Sequence, residues 1–163
     1  MPDERTAGEV PKPSAREEEL VDFGRLTSHV GYQLRRAFVG SNRYFRELLG
    51  PAGIAPGQYG IFSLICHNEG INQKTLAAIR KVDRSTIVPT LDHLEACGWI
   101  RRVRRPPDRR VTSLVPTAAG RRKLKSLDRL VDEHEHVLTS RLSVAEKRKL
   151  LELLGRIVDT PLR

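Results

Sequence analysis

Two adjacent prolines, Pro106 and Pro107, stand in the middle of the stretch WIRRVRRPPDRRVTSLV. Proline fixes φ and has no N–H to donate, so neither a helix nor a regular strand passes through the pair. Pro106-Pro107-Asp108 therefore reads as a turn, with Trp99 to Arg105 the strand entering it and Arg110 to Val115 the strand leaving it. The alternation is imperfect, since Ile100 and Val103 fall on opposite faces, which suits a small hairpin rather than a sheet core. Elsewhere the apolar residues recur at helical spacing. The expected fold is mostly α with a small β-hairpin.

The first helix is expected from about Glu17 to Leu49, with Phe23, Leu26, Val30, Leu34, Phe38, Phe45 and Leu48 along one side and Gly50-Pro51 as its stop. Pro56 suits the first turn of a second helix carrying Tyr59, Phe62, Leu64 and Ile65. A short helix follows, capped by Asn72, with Leu76, Ala77 and Ile79 as its apolar side. After a short break Asp83 caps another helix, with Val82 and Ile87 placed as a hydrophobic staple and Gly98 as the stop. Thr117 caps a long helix through Leu124, Leu127, Leu130, Val131 and Leu138. Ser143 and Glu146 form a capping box for the last helix, whose apolar face is Leu150, Leu151, Leu154, Ile157 and Val158. Residues 1–15, proline-bearing and of mixed charge, have little to bury and are expected to be a disordered tail.

The chain has 163 residues, room for one domain with a real core or for one domain plus extra helices. Its formal net charge is +9, and residues 101–125, with eight arginines, two lysines and one aspartate, hold the whole excess. A charge run is commonly just a solvated face. This one is Arg-rich, interleaved with β-formers and bent by a turn, and arginine's planar, weakly hydrated fork suits phosphate and minor-groove contact. A polyanion is thus the first partner to consider. No run of about 18 apolar residues is present, so no membrane partner is expected. The acids and prolines of the N-terminus do not suit a secretion signal. Two cysteines, Cys66 and Cys97, cannot build a disulfide scaffold or a four-ligand zinc site, which points to the cytoplasm.

The order helix, short helix, break, longer helix and basic-tipped hairpin is the layout of a winged helix-turn-helix. Side chains just after the N-cap of the longer helix can point into a major groove; here they are Arg84, Ser85, Thr86, Val88, Pro89 and Thr90. The hairpin tip, Arg105 to Arg110, can reach the backbone or the adjacent minor groove. Ile54 to Gln58, Leu76-Ala77, Asp83 to Thr86, Leu94 to Gly98, Asp108 to Arg110 and Val115 to Gly120 together resemble the MarR family of bacterial transcription regulators. Each piece is weak and the ordered set is strong; the likeness spans roughly residues 20–158.

The resemblance implies a homodimer whose first, fifth and sixth helices interleave. Each subunit would offer one winged motif to a half-site of a palindromic operator, and a small aromatic acid or its conjugate, such as a CoA thioester, would release a repressor from DNA. The corresponding division is a tail at 1–15, a first helix for dimerisation and ligand contact at 16–50, the winged helix-turn-helix at 51–116 and C-terminal dimerisation helices at 117–163. Within it the recognition helix covers about 83–97 and the wing about 99–115. The resemblance also implies that Asp108 orients Arg110 in a minor groove. Arg104, Arg105 and Arg109 suit phosphate contacts, which add affinity but not specificity. The alternative is a constitutive or architectural DNA binder without an effector. No phosphate loop, nucleophile elbow, HExxH or paired-carboxylate motif is present, so neither an enzyme nor a cofactor is expected.

Seven of the eight aromatic residues, Phe23, Tyr32, Phe38, Tyr44, Phe45, Tyr59 and Phe62, lie in the first two helices, the region that lines the ligand pocket in the resembled family. Their bland reading is core. His29, Tyr32, Gln33 and Arg36 form a polar stripe at i, i+3, i+4 and i+7, suited to an anionic aromatic ligand or else simply solvated. Arg43 and Arg46 could hold a larger anionic group, such as CoA phosphates. Asp132, His134, Glu135 and His136 invite a metal reading, but only Asp132 and His136 share a helix face, so no metal site is expected. Both cysteines are expected to pack. Three residues depart from the family pattern: Lys81 where a turn Gly is usual, Pro89 inside the recognition helix, where it should cause a kink or meet a thymine methyl, and Ala55 in place of a capping Thr.

Overall fold

The computed structural model describes residues 21–80, 84–104 and 112–161. Its helices are α1 (Val30–Leu49), α2 (Pro56–His67), α3 (Gln73–Arg80), α4 (Arg84–Ala96), α5 (Ala118–Leu138) and α6 (Val144–Val158). Between α4 and α5 lie two antiparallel strands, β1 (Ile100–Arg104) and β2 (Thr112–Pro116), in register from Ile100 opposite Pro116 to Arg104 opposite Thr112. The segment before α3 adds to this sheet: Leu114 N–H donates to the Ile71 carbonyl at 2.9 Å, and Gly70 N–H donates to the Leu114 carbonyl at 2.9 Å. The fold is mostly helical with one small hairpin. The 1–15 tail, Lys81, the Val82 half of the staple, the Asp83 cap and the Pro-Pro-Asp turn lie outside the described residues.

Local chemistry sets the helix starts. Asn72 Oδ1 accepts from Thr75 N–H at 2.8 Å at the head of α3, and the Thr117 hydroxyl accepts from Gly120 N–H at 2.9 Å at the head of α5. At α6, Ser143 N–H donates to Glu146 Oε2 at 2.8 Å and Glu146 N–H donates back to the Ser143 hydroxyl at 3.3 Å. The Ser143 hydroxyl, which also donates to Glu146 Oε2 at 2.7 Å, and then the Ser143 N–H hold the Glu146 carboxyl below its usual pKa. Ala55 has no acceptor to offer, so α2 keeps only half of such a box, Gln58 Oε1 receiving the Ala55 N–H at 2.9 Å. Pro56 occupies the first turn, where a missing N–H costs nothing.

The chain divides into two compact units, one reaching to Val39 and the other starting at Gly40. In the first, the expected continuous helix from about Glu17 is corrected. Gly24 takes a left-handed φ of 50°, its N–H donating to Asp22 Oδ1 at 2.7 Å, and a 3-10 turn runs over Gly24–Ser28. The Ser28 hydroxyl donates to the Arg25 carbonyl at 2.8 Å, a side-chain bond that competes with a regular helix. His29 is extended, and its carbonyl accepts the first α1 bond, from Gln33 N–H at 3.1 Å.

The core lies in the second unit. Leu49, Phe62, Ile65, Leu76, Ile87, Leu91, Leu94, Leu114 and Leu127 are buried there, drawn from α1, α2, α3, α4, β2 and α5. Two expectations fail at its edge. Ile79, one residue before the end of α3, is exposed although it shares a side with buried Leu76. Cys97, just past the end of α4, is exposed, while Cys66 is half-buried against the core, where burial pushes its thiol up to about 11. Burial followed by the bond to Asp128 Oδ1, at 2.9 Å, likewise pushes the Tyr59 phenol up to about 12. The terminal helices contrast with this core. Val30, Leu34, Phe38 and Val39 of α1 are exposed, Phe38 at 66%, and α6 exposes Leu150, Leu151, Leu153, Ile157 and Val158 and buries no residue.

Candidate nucleic-acid interface

Helix α4 follows α3 across a short connection, and β1 leaves its C-terminal end through Gly98, whose φ of 71° is the left-handed value that suits glycine. The helix continues through Pro89. It is anchored from behind by Ile87, Leu91 and Leu94, so its opposite side faces out. Pro89 and Asp92 are exposed there, Val88 is half-buried, and Thr90 is buried at 9% exposure. Sequence position places Thr90 among the groove readers, and the structure corrects this: helical rotation turns it inward with Ile87, Leu91 and Leu94. Arg84, Ser85 and Thr86 form the first turn of α4.

The wing root is fastened on both sides. Thr117 N–H donates to the Trp99 carbonyl at 2.9 Å, and the Thr117 hydroxyl donates to the Gly98 carbonyl at 2.7 Å. Gly120 makes this approach feasible: a Cβ there would stand 2.0 Å from the Trp99 carbonyl oxygen. On the other side Arg102 of β1 reaches α4. Its Nη2 donates to Asp92 Oδ1 at 2.6 Å, its Nη1 to the Glu95 carboxylate, and its backbone N–H to Glu95 Oε1 at 3.0 Å. Burial works against the guanidinium's charge, but these two carboxylates outweigh it and raise its pKa.

The basic segment is therefore not uniformly available. Arg102 is consumed internally, Arg121 pairs with Glu69 at 2.5 Å, and Lys123 Nζ sits 4.9 Å from the Trp99 ring centroid. Arg101 and Arg104 are exposed on β1. Arg105, Asp108, Arg109 and Arg110 lie outside the described residues. Nothing in the sequence marks the Arg102 contacts, because its partners lie back across Gly98 on a different element.

The residues expected to meet a ligand are divided between the two units. In the first unit, the Arg36 guanidinium lies 5.8 Å from the Tyr32 ring centroid, Tyr32 packs 6.3 Å from Phe23, and Gln33 Nε2 donates to the Thr27 carbonyl at 2.7 Å. His29 is exposed just ahead of α1. In the second unit, Arg43 is exposed beside Glu47, at 3.9 Å, while Phe62 is fully buried beside Trp99, ring centroids 5.6 Å apart. Phe62 is core, which corrects its inclusion as a ligand residue: no open space adjoins a fully buried ring. A shallow cleft of about 230 Å³ opens where Arg46, Gln58 and His93 meet. No sequence pattern marked it, because it joins three separate helices.

The metal reading meets a different arrangement. His134 is buried, its ring stacked 4.4 Å from that of Phe45, and its Nε2 lies 3.1 Å from both the hydroxyl and the carbonyl oxygen of Ser41. A carbonyl only accepts, so the Nε2 donates to it. Glu135 forms an ion pair with Lys147 at 2.8 Å. Among the described residues no group of three His, Cys, Asp or Glu side chains could hold a metal ion.

Comparison with known proteins decides the family. The MarR-family profile matches residues 52–111. A transcriptional regulatory protein for the hcr operon of Thauera aromatica is 36% identical over 85% of this chain and 84% of its own length. The chain belongs to the MarR family of DNA-binding transcriptional regulators. Among solved MarR-type structures, the transcriptional repressor CouR bound to a 23-mer DNA duplex superposes with a TM-score of 0.80 at 33% identity, covering 85% of this chain and 98% of that one. CouR bound to p-coumaroyl-CoA superposes with a TM-score of 0.76 at 31% identity over the same shares. Among the described residues no helix is long and apolar enough to cross a membrane.

Proposed function

We propose that this MarR-family regulator is a cytoplasmic, homodimeric repressor that binds a palindromic operator and is released by an aromatic acyl-CoA thioester. The observation that carries the reading is the likeness, over 85% of the chain, to a repressor solved both with a DNA duplex and with p-coumaroyl-CoA. The exposed apolar residues of α1 and, separately, those of α6 support the dimer, since large apolar side chains left exposed along a helix favour an interface. The outward side of α4, with Ser85, Thr86 and Pro89, reads the major groove. Arg104, Arg105 and Arg109 hold phosphates, and Arg110, oriented by Asp108, enters the minor groove.

Fluorescence anisotropy with a duplex from the regulator's own promoter tests this reading. Binding falls steeply with salt as phosphate contacts release counterions. Arg110→Ala weakens it by at least about tenfold at moderate salt. Addition of p-coumaroyl-CoA releases the duplex, whereas free acid and unconjugated CoA do not. A folded Arg110→Ala variant that binds normally removes the wing assignment. Binding indifferent to every thioester leaves the constitutive DNA binder as the reading.

A further inference from the structure

Helix α4 carries two carboxylates, Asp92 and Glu95, close to the side that the proposed function turns toward a polyanion. Asp92 stands three residues after exposed Pro89, on the same side of the helix, and is itself exposed. Bare carboxylates there would repel phosphate across a low-dielectric contact. Their countercharge comes from the neighbouring strand. Arg102 directs one guanidinium nitrogen to each carboxylate and adds its backbone N–H to Glu95. Its side chain is 28% exposed, against 58% for that of Asp92, so the cation lies beneath the acid it neutralises. The same contacts tie β1, the first strand of the wing, to α4.

We propose that Arg102 is a positioning residue for DNA binding: it masks Asp92 and Glu95 and pins the wing strand to the recognition helix, and it holds no phosphate itself. The inference rests on the operator-binding reading above. It separates two arginines that look alike in the sequence, Arg102 half-buried against α4 and Arg104, two residues further along the strand, exposed.

The test measures operator affinity against salt for the full-length protein and three variants. Arg102→Met is expected to lose about tenfold in affinity with the slope of log K against log salt unchanged, because no counterion-releasing contact is removed. Arg104→Ala is expected to lower that slope by about 0.9. The triple variant Arg102→Met/Asp92→Asn/Glu95→Gln, which leaves no charge uncompensated but still lacks the clasp, should regain at least about threefold over Arg102→Met at an unchanged slope, the remaining loss being that of the pinning. A triple variant as weak as Arg104→Ala, with a slope lowered by about 0.9, overturns the proposal and makes Arg102 a phosphate contact. If Arg102→Met fails to fold, the triple variant carries the comparison alone. Failure of the operator reading looks different, because wild type then binds no duplex at any salt. In that event amide exchange without DNA decides the clasp: exchange at the Arg102 N–H should be faster in Arg102→Met than in wild type, and equal rates overturn the pinning.

Discussion

Helices α3 and α4 with the hairpin, and the terminal helices α1 and α6, are built from similar residues to opposite ends. In the first region Leu76, Ile87, Leu91, Leu94 and Leu114 are all fully buried or nearly so, against α2 and α5. In the second, α6 buries nothing, and Val144 at its head is 85% exposed. Burial of a Leu or Val is worth about 1.5–3 kcal/mol, so one region draws its stability from its own chain and the other leaves that energy to be collected elsewhere. A second copy of the chain, the partner proposed above, is where it would be collected.

The sharpest way to break this contrast is a pair of glycines. Gly120→Ala forces a Cβ onto the Trp99 carbonyl, and we expect about 3 kcal/mol of destabilisation in denaturant unfolding, with DNA binding lost in parallel. A loss below about 0.5 kcal/mol would show the joint at the wing root to be pliable. Next in size, Leu151→Lys should leave the secondary structure intact while raising the dimer dissociation constant by at least about tenfold in sedimentation equilibrium. An unchanged constant would move the interface off α6. Gly155→Ala in α6 meets nothing within 4 Å, and should stabilise by about 0.5–1 kcal/mol through helix propensity. Destabilisation there would mean that a partner backbone packs against that glycine.

The smallest effect concerns pH. The Tyr59 phenol is held at about 12 in the folded chain against 10.0 for the free group, so its contribution is whole below pH 10 and is lost as pH rises toward 12. Tyr59→Phe should flatten the alkaline fall of stability over that window without altering the acid side, as read from melting temperature against pH. An identical alkaline limb would assign the fall to other groups.

What could be read from the sequence was local. Asn72, Thr117 and the Ser143–Glu146 pair each act over three residues, and a capping residue with a partner three positions on is visible in any linear string. The order of elements was legible for the same reason. Contacts that join distant segments were not. Ser41 and His134 are 93 residues apart, so nothing in the sequence marks that histidine as a buried, hydrogen-bonded ring. Helical spacing overran the start of α1 because periodicity registers side chains and not the left-handed backbone of Gly24. Arg102 looked like one cation among ten in its segment because the acids that claim it lie on the preceding helix.

Trp99 is the chain's single tryptophan, and it sits at the wing root with Phe62 at 5.6 Å, His93 at 6.2 Å and Lys123 above its ring. The indole's emission depends on the charge beside it and on water. The molecule therefore carries its own fluorophore where α4, the hairpin and α5 converge. Seating on DNA or taking up an effector would register as a change in its spectrum whenever that junction moves by a fraction of an ångström, with no label attached.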